Sequence, residues 1–344
     1  MNAGDLTTLD HVKQWIGLTG IAIASISNAN PAVVTLQTAP QTPLLNQMQY
    51  EIQGVEGMAL VPNALYTITV TSPTTFSIPV NTSADTSYTG GGVVGVDDVL
   101  VSNLITRVST YIQMWLQRTI ASATYNEIRD GQGSYTMMMK NYPITAVHSV
   151  TIDGIAISPR PPLGAGSSIV YTFNGVPAGW VASDVMVMMS GTPFRKDYQN
   201  IVINYDAGFL KVEAQNVPSS GPFNLSTQTT WSAGDRGVTY AATGVALKKV
   251  TTAPFTGQYQ ENNGFYTFAV GDAGAAVNIS YAYVPMDIEQ ACIDTIGDLF
   301  RYRDRIGEAS QAIAQLGTTA FINIQIPVRA RDMLQQYKKV APVM

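Results

Sequence analysis

Residues 4–19 read GDLTTLDHVKQWIGLT, and residues 97–120 read DDVLVSNLITRVSTYIQMWLQRTI. These two stretches set the predicted organisation of the chain. In the first, Thr8 can cap a helix of about three turns that ends at Gly17. A helix this short is marginal in isolation and has to pack against another element. We therefore predict that it packs on the helix that begins at Asp97, so that the two stretches form one unit interrupted in sequence.

The second stretch carries the strongest helical pattern in the chain. Asp97 and Asp98 can cap it, and its apolar residues recur at spacings of three and four over about six turns. These residues are Leu100, Val101, Leu104, Val108, Tyr111, Ile112 and Trp115. A single buried face does not need so many apolar positions, so we predict that part of this helix contacts a neighbouring subunit.

The interruption has the pattern of a small β-domain. Segments such as residues 30–40 (NPAVVTLQTAP) and 65–78 (LYTITVTSPTTFSI) are rich in β-branched and aromatic residues and are bounded by Pro, Gly and Asn. A second block of this kind begins at Pro218 and closes with FYTFAV (residues 265–270) and AVNISYAY (residues 276–283). Both blocks are typical of small antiparallel barrels or sandwiches.

Helical pattern resumes after the second block. Asp287 and Gln290 have the spacing of a capping box, and Pro327 suits the first turn of a last helix. We therefore predict an α+β fold: a small helical module with a β-hairpin and strand region carries two inserted all-β barrel or sandwich domains. The helical module comprises residues 1–19, 94–217 and 286–344, the first insertion residues 20–93, and the second insertion residues 218–285.

Composition excludes several classes of function. Apolar residues make up 46% of the 344 residues, charged residues 12%, and the net charge is −5. This balance argues against a protein that grips duplex DNA, which needs clustered Lys and Arg. Residues 20–93 contain no Lys or Arg at all. The N-terminus lacks the pattern of a signal peptide, and no apolar run approaches the ~20 residues of a membrane span, so we expect a soluble chain made in the cytoplasm.

No residue pattern predicts catalysis, a cofactor or a metal. His11 and His148 are the only histidines and are far apart in sequence, and Cys292 is alone in an apolar helical context. The glycines at 90–92 and at 131 and 133 lack the context of a phosphate loop and are interpreted as turns. We expect no enzyme activity, no cofactor and no metal site.

Two further motifs leave alternatives open. The run Met137–Met139 is typical of a buried strand, and less so of an adaptable contact surface. Arg301, Arg303 and Arg305, at the end of a helix, could interact with the helix C-terminus, or with acids of a neighbouring subunit or DNA in a lumen.

The helical module resembles the head–tail connector proteins of tailed bacteriophages, also called adaptor or head-completion proteins, and its matching segments occur in the order seen in that family. The matching segments are VKQWIGL (residues 12–18), residues 97–120, YPITAVHSVTIDG (142–154), YDAGF (205–209) and DIEQACIDTIGDLFRYRDR (287–305). The first insertion is similar to the first catalytic-cysteine half-domain of ubiquitin-activating enzymes, and the second to a β-domain that recurs in phage virion proteins. No ubiquitin chemistry is implied, because no activating cysteine or nucleotide site accompanies the domain.

The resemblance implies a non-enzymatic virion protein at the head–tail interface, assembled in the host cytoplasm. It implies a ring, usually dodecameric, that docks beneath the portal protein, joins a downstream stopper or tail protein, leaves a central channel for DNA, and can transiently contact that DNA. No membrane partner is expected. Candidate subunit contacts are Tyr111, Trp115, Arg118, Arg301, Arg303 and Arg305. Candidate portal-docking residues are Arg329, Arg331, Leu334, Tyr337, Lys338, Lys339 and Val343.

Other functions are compatible with the same sequence. The β-domains also suit another tail, baseplate or fibre-associated structural protein, or a carbohydrate-binding module. A lytic or depolymerising enzyme would need a cluster of catalytic acids, which the sequence does not place.

Overall fold

The computed structural model describes residue 2 and residues 4–40, 42–160, 172–173, 176–177, 179–303, 310–313, 317–320 and 326–339. The fold is mostly β, with about 41% of the described residues in strands and 19% in helices. The predicted α+β fold built on a small helical connector module is therefore wrong. Two compact units divide the chain: the first contains residues 1–110 and 290–333, and the second residues 111–289 and 334–344.

Four helices occur in the described ranges. They are α1 (Leu9–Ile16), α2 (Asp98–Leu116), α3 (Met286–Tyr302) and α4 (Val328–Gln335). As predicted, α1 follows a Thr8 cap, whose hydroxyl accepts a hydrogen bond from the His11 N–H, and it ends at Gly17 with φ of 71°. Glycine adopts this left-handed conformation without the cost that a Cβ imposes.

Helix α1 lies beside α2, as the split sequence predicts. The N–H of Leu6, just before α1, donates to Ser109 Oγ of α2 over 2.9 Å. Ser109 Oγ is also 3.7 Å from Cys292 Sγ of α3. Cys292 is fully buried among apolar neighbours, so its role is packing, as the sequence indicates.

The buried face of α2 differs in phase from the predicted one. Its fully buried apolar residues are Val101, Ile105, Val108, Ile112 and Leu116. Four of the residues predicted for the apolar face, Leu100, Leu104, Tyr111 and Trp115, are only half-buried or exposed. Both sets recur at helical spacing, so periodicity alone could not decide which of them faces the core.

Residues 20–95 form a seven-stranded sheet in the first unit. Its strands are β1 (Ile21–Ile26), β2 (Ala32–Leu36), β3 (Gln49–Glu56), β4 (Ala64–Thr67), β5 (Thr69–Ser72), β6 (Thr75–Ile78) and β7 (Gly90–Gly95). Their spatial order is β4-β3-β7-β1-β2-β6-β5. Only Ile68 separates β4 from β5 in sequence, yet they lie at opposite ends of this order. The sheet therefore curls until its ends meet, which gives a nearly closed barrel around a core that includes Ile52, Ile68, Phe76 and Val94.

The middle of the chain folds as strands of the second unit. They are β8 (Ala123–Gly131), β9 (Thr136–Met138), β10 (Ile144–Ile152), β11 (Ile155–Ile157), β12 (Thr172–Phe173), β13 (Val176–Pro177), β14 (Gly179–Ala182), β15 (Met186–Ser190) and β16 (Asp197–Ala207). A four-stranded sheet has the order β11-β10-β16-β8, a three-stranded sheet the order β14-β15-β9, and β12 pairs with β13. Their shared core includes Val150, Val187, Phe194 and Tyr205. Met137 and Met139 are buried in it, which confirms the buried-strand interpretation of the methionine run.

A second β-block follows. Its strands are β17 (Leu210–Asn216), β18 (Asn224–Ser226), β19 (Gly234–Tyr240), β20 (Lys248–Lys249), β21 (Gln258–Asn262), β22 (Phe265–Phe268) and β23 (Ala276–Ala282). They form sheets of order β17-β23-β19 and β18-β22-β21-β20 around one core that includes Tyr259, Tyr266, Val277 and Tyr281. The first unit also has a hairpin of β24 (Ser310–Ile313) and β25 (Gly317–Ala320), a region for which the sequence predicts no strand.

The fold class was wrong because residues 121–217 were assigned to the helical module. In β16, residues 201, 203, 205 and 207 are buried and alternate with less buried ones, which is the period of a strand. These residues build a β-core of their own, and the helices contribute a minority of the chain. The predicted division into a module and two insertions remains a prediction.

Glu213 of β17 is a buried carboxylate surrounded by donors. Tyr281 Oη donates to it over 2.5 Å, the Thr229 N–H over 2.9 Å and the Gln228 N–H over 3.0 Å. Burial works to raise the pKa of Glu213, but the hydrogen bonds from Thr229, Tyr281 and Gln228 outweigh it and lower the pKa to about 2. The ionised carboxylate therefore ties β17 to β23 and to the loop before β19.

We expect these hydrogen bonds to the Glu213 carboxylate to weaken in acid. Because the folded-state pKa lies below that of an unfolded glutamate, about 4.3, the stabilisation is complete above that value and is lost as pH falls towards about 2. Hydrogen exchange of residues 210–216 should rise between pH 6 and pH 3, after correction for intrinsic rates, and should rise less in Glu213→Gln. The exposed control Glu56→Gln should keep the wild-type difference. An equal response of Glu213→Gln and wild type would contradict this interpretation.

Candidate assembly surfaces

Two adjacent carboxylates at the start of α2 bind three different parts of the first unit. Asp97 Oδ1 accepts hydrogen bonds from Thr42 Oγ1 over 2.9 Å and from Arg303 Nη1 over 3.1 Å. Lys13 Nζ of α1 lies 2.9 Å from Asp98 Oδ1 and 3.0 Å from Oδ2. Arg303, a predicted subunit-contact residue, is thus engaged within its own chain, and its guanidinium also lies 4.5 Å from the Phe300 ring centroid.

Gly95 makes room for this arrangement. A Cβ at Gly95 would lie 1.7 Å from Asp98 Oδ2, a distance that no carbon can occupy beside an oxygen. Asp98 is 5% exposed and ends up against the backbone at the junction of β7 and α2. The short link from the barrel into α2 therefore requires glycine.

A second cluster lies in the second unit around Arg118, just after α2. The guanidinium lies 4.5 Å from the Tyr142 ring centroid and 5.6 Å from that of Phe209. It donates a hydrogen bond to the Tyr142 carbonyl oxygen. It donates a second one, 3.5 Å long, to the Tyr337 carbonyl oxygen. Burial lowers the pKa of Arg118, with the nearby tyrosines acting in the opposite direction, and arginine keeps its charge at any ordinary pH.

Residues predicted for two separate surfaces meet in this cluster. Lys338 Nζ lies 4.7 Å from the Trp115 ring centroid, and the Lys339 N–H donates to the Leu116 carbonyl over 3.0 Å. Tyr337 packs edge-on against Phe209, with 5.9 Å between ring centroids, and its hydroxyl donates to Asp287 over 3.4 Å. The structure thus brings subunit-contact candidates and portal-docking candidates together within one chain.

The other candidate residues lie elsewhere. Leu334 is fully buried, Tyr111 is 37% exposed, and Arg329 and Arg331 are exposed on α4. Arg305 and Val343 lie outside the described residues. Whether any candidate contacts a portal or a second subunit stays a prediction.

Arg301 lines a groove of the first unit, together with a residue that sequence reasoning missed. Trp15 of α1 is 54% exposed and faces this groove of about 300 Å³. Trp15 lies off the predicted apolar face of Leu9, Val12 and Ile16, and a large aromatic residue outside the buried stripe of an amphipathic helix is the signal that could have revealed it.

The two histidines and the acidic residues of the described ranges are possible metal ligands. No group of three or more His, Cys, Asp or Glu side chains there could hold a metal ion. His148 Nε2 lies 3.1 Å from Asp206 Oδ2 on the neighbouring strand, and Asp206 also pairs with Arg236 over 3.0 Å. These contacts join β10, β16 and β19. No helix of the described chain is both long and apolar enough to cross a membrane.

Comparison with known families gives a match over the middle of the chain. Residues 95–216, which include α2 and the strands β8 to β17, match the family described as head completion protein. This match supports the assignment of these residues to a phage head–tail connector family. It also supports a structural head-completion role, in the context of a virion or its assembly. Among curated proteins, none matches the chain. The likeness of residues 24–92 to ubiquitin-activating enzymes, and of residues 218–285 to phage β-domains, lies outside the match and stays a prediction.

Replacement of Arg118 should weaken the attachment of residues 334–339. A hydrogen bond to a charged group contributes about 1.5–3 kcal/mol, so Arg118→Ala should raise hydrogen exchange of residues 334–339 at least about tenfold. Arg118→Lys keeps the positive charge but lacks the planar guanidinium with its several N–H donors. We therefore expect its hydrogen exchange to lie between that of wild type and that of Arg118→Ala. Exchange as slow as in wild type in the alanine variant would show that Arg118 does not hold this segment.

Proposed function

We propose that the chain is a head–tail adaptor. In this proposal, identical copies form a dodecameric ring beneath the portal protein, join the DNA-filled capsid to a downstream stopper or tail protein, and leave a channel for DNA. No catalytic step is involved. The observation that carries the proposal is the match of residues 95–216 to the head completion family.

Exposed apolar side chains support a role in assembly. Met114 of α2 is 71% exposed, Met286 of α3 is 74% exposed, and Val328 of α4 is 57% exposed. Single exposed apolar residues are normal on protein surfaces, and large ones are enriched where proteins pack against each other, so these three are candidate contact positions. The low share of charged residues, 12%, is consistent with a surface that is covered in the working state.

Basic side chains on α4 are the portal-docking candidates that remain most available. Arg331 is exposed, and within the described residues its side chain has no hydrogen-bond or ion-pair partner. Tyr337 and Lys338, by contrast, are engaged with Asp287 and Trp115. We therefore assign portal contact first to the exposed arginines of α4.

The test is binding to the portal protein of the same phage. Purified chain and portal should cosediment, and electron microscopy should show a ring stacked coaxially on the portal. Arg331→Glu should weaken binding at least about tenfold, since a reversed charge at a contact both loses an attraction and adds a repulsion. Arg195→Glu is the matched control, because Arg195 is a largely exposed arginine of the second unit, and it should bind like wild type.

The two possible negative results have different meanings. Absence of any wild-type complex with the portal would overturn the adaptor assignment. A wild-type complex that Arg331→Glu leaves unchanged would keep the assignment and move the contact away from Arg331.

A further inference from the structure

The groove beside Trp15 is built from three elements of the first unit. Its lining comprises Trp15, Ile16, Asp294, Gly297, Asp298, Arg301, Pro327 and Arg329. These residues come from the end of α1, the second half of α3 and the start of α4. Its volume is about 300 Å³, and it is open to solvent along one side.

Part of the groove lining is apolar, and apolar side chains are exposed in it and next to it. Ile16, Gly297 and Pro327 carry no polar side-chain atom, and a Cβ at Gly297 would lie 3.4 Å from Ile16 Cγ2, so glycine leaves the groove deeper than alanine would. Trp15 is 54% exposed, and Val328, next to the lining residue Pro327, is 57% exposed. A half-exposed indole in a groove that also has apolar lining residues favours burial against another protein surface.

The charges of the groove are balanced. Asp294, Asp298 and Arg301 follow one another at spacings of four and three along α3, so they lie on one side of the helix. Arg329 adds a second positive charge from α4. Within the described residues, neither guanidinium has a hydrogen-bond or ion-pair partner. The lining therefore contains two carboxylates and two guanidinium groups. Both carboxylates also have a partner within the chain, and Asp294 Oδ1 accepts a hydrogen bond from Gln290 Nε2 over 2.8 Å.

This balance of charges indicates which kind of partner the groove can bind. An acidic ligand such as a nucleic acid would meet two carboxylates, and a basic peptide would meet two guanidinium groups, so either would be repelled by half of the charges. A second copy of the same face, turned by a two-fold rotation, can place carboxylates opposite guanidinium groups on both sides. Such a contact is isologous, and each arginine could form a two-pronged hydrogen-bonded pair with a carboxylate.

We propose that two copies of the unassembled chain pair through this face of α1, α3 and α4. Trp15 anchors the contact, and Asp294 and Asp298 of each copy face Arg301 and Arg329 of the other. The pairing goes beyond the proposed adaptor function: it concerns the free protein, and it does not depend on a portal.

The first test is sedimentation of the full chain across a concentration series. Wild type should show a concentration-dependent dimer. Trp15→Ala should weaken dimerisation at least about tenfold, as expected for an aromatic anchor, whereas Trp15→Phe should retain most of it. Circular dichroism should confirm that each variant is folded. A wild type that stays monomeric throughout would overturn the pairing.

The second test swaps charges between copies. Arg301→Glu with Arg329→Glu gives a groove with four acids, and Asp294→Arg with Asp298→Arg gives one with four bases. Each variant alone should be monomeric, and an equimolar mixture should form dimers again. If the basic variant fails to fold, Asp294→Lys alone takes its place. Dimerisation of either variant alone at the wild-type concentration, or no recovery in the mixture, would overturn the proposal.

The readouts keep this inference apart from the adaptor function. Cosedimentation with the portal reports on the adaptor role, and dimerisation in the absence of portal reports on the groove. Portal binding without dimerisation would contradict only the pairing, and dimerisation without portal binding would contradict only the adaptor role.

Discussion

Two consecutive carboxylates at the first turn of α2 are the constraint on which the first unit depends. Asp97 binds Thr42 and Arg303, and Asp98 binds Lys13, so elements far apart in sequence converge on one helix N-terminus. The helix dipole favours negative charge at this end. The side chain of Asp98 is only 7% exposed, and loss of its partner would leave a buried charge without compensation, which costs far more than the loss of a surface pair. Gly95 permits the close approach, because any side chain there would collide with Asp98.

Local chemistry made part of this fold predictable. The cap at Thr8, the stop at Gly17 and the start of α2 near Asp97 depend on residues within one helical turn, and the structure has them where the sequence predicts. The buried face of α2 and the fold class depend on packing between distant segments, which a single sequence does not encode locally. Strands within residues 121–217, including the one at residues 200–209, are predicted from their local pattern, but their assignment to a small helical module is wrong, because these strands build a β-core of their own.

The contacts within the candidate surfaces also depend on packing between distant segments. Trp115 and Arg118 were assigned to one surface and Tyr337 and Lys338 to another, because more than two hundred positions separate them in sequence. In the structure they form one cluster, with Arg118 stacked on Tyr142 and Phe209 and bonded to the Tyr337 carbonyl. Trp15 was overlooked because it belongs to a helix whose apolar stripe already explained its packing. A residue outside that stripe, however, is the one left for a partner.

The chain combines a mostly β fold, helices with exposed apolar residues, and a match of residues 95–216 to the head completion family. A cryo-electron microscopy reconstruction of the intact virion tests the proposed adaptor function most directly. If the chain is the adaptor, the fold described here should fit density between the portal and the tail, in a closed ring around the DNA path. Density for the chain at the tail tip, the baseplate or the fibres, with none at the head–tail junction, would contradict it.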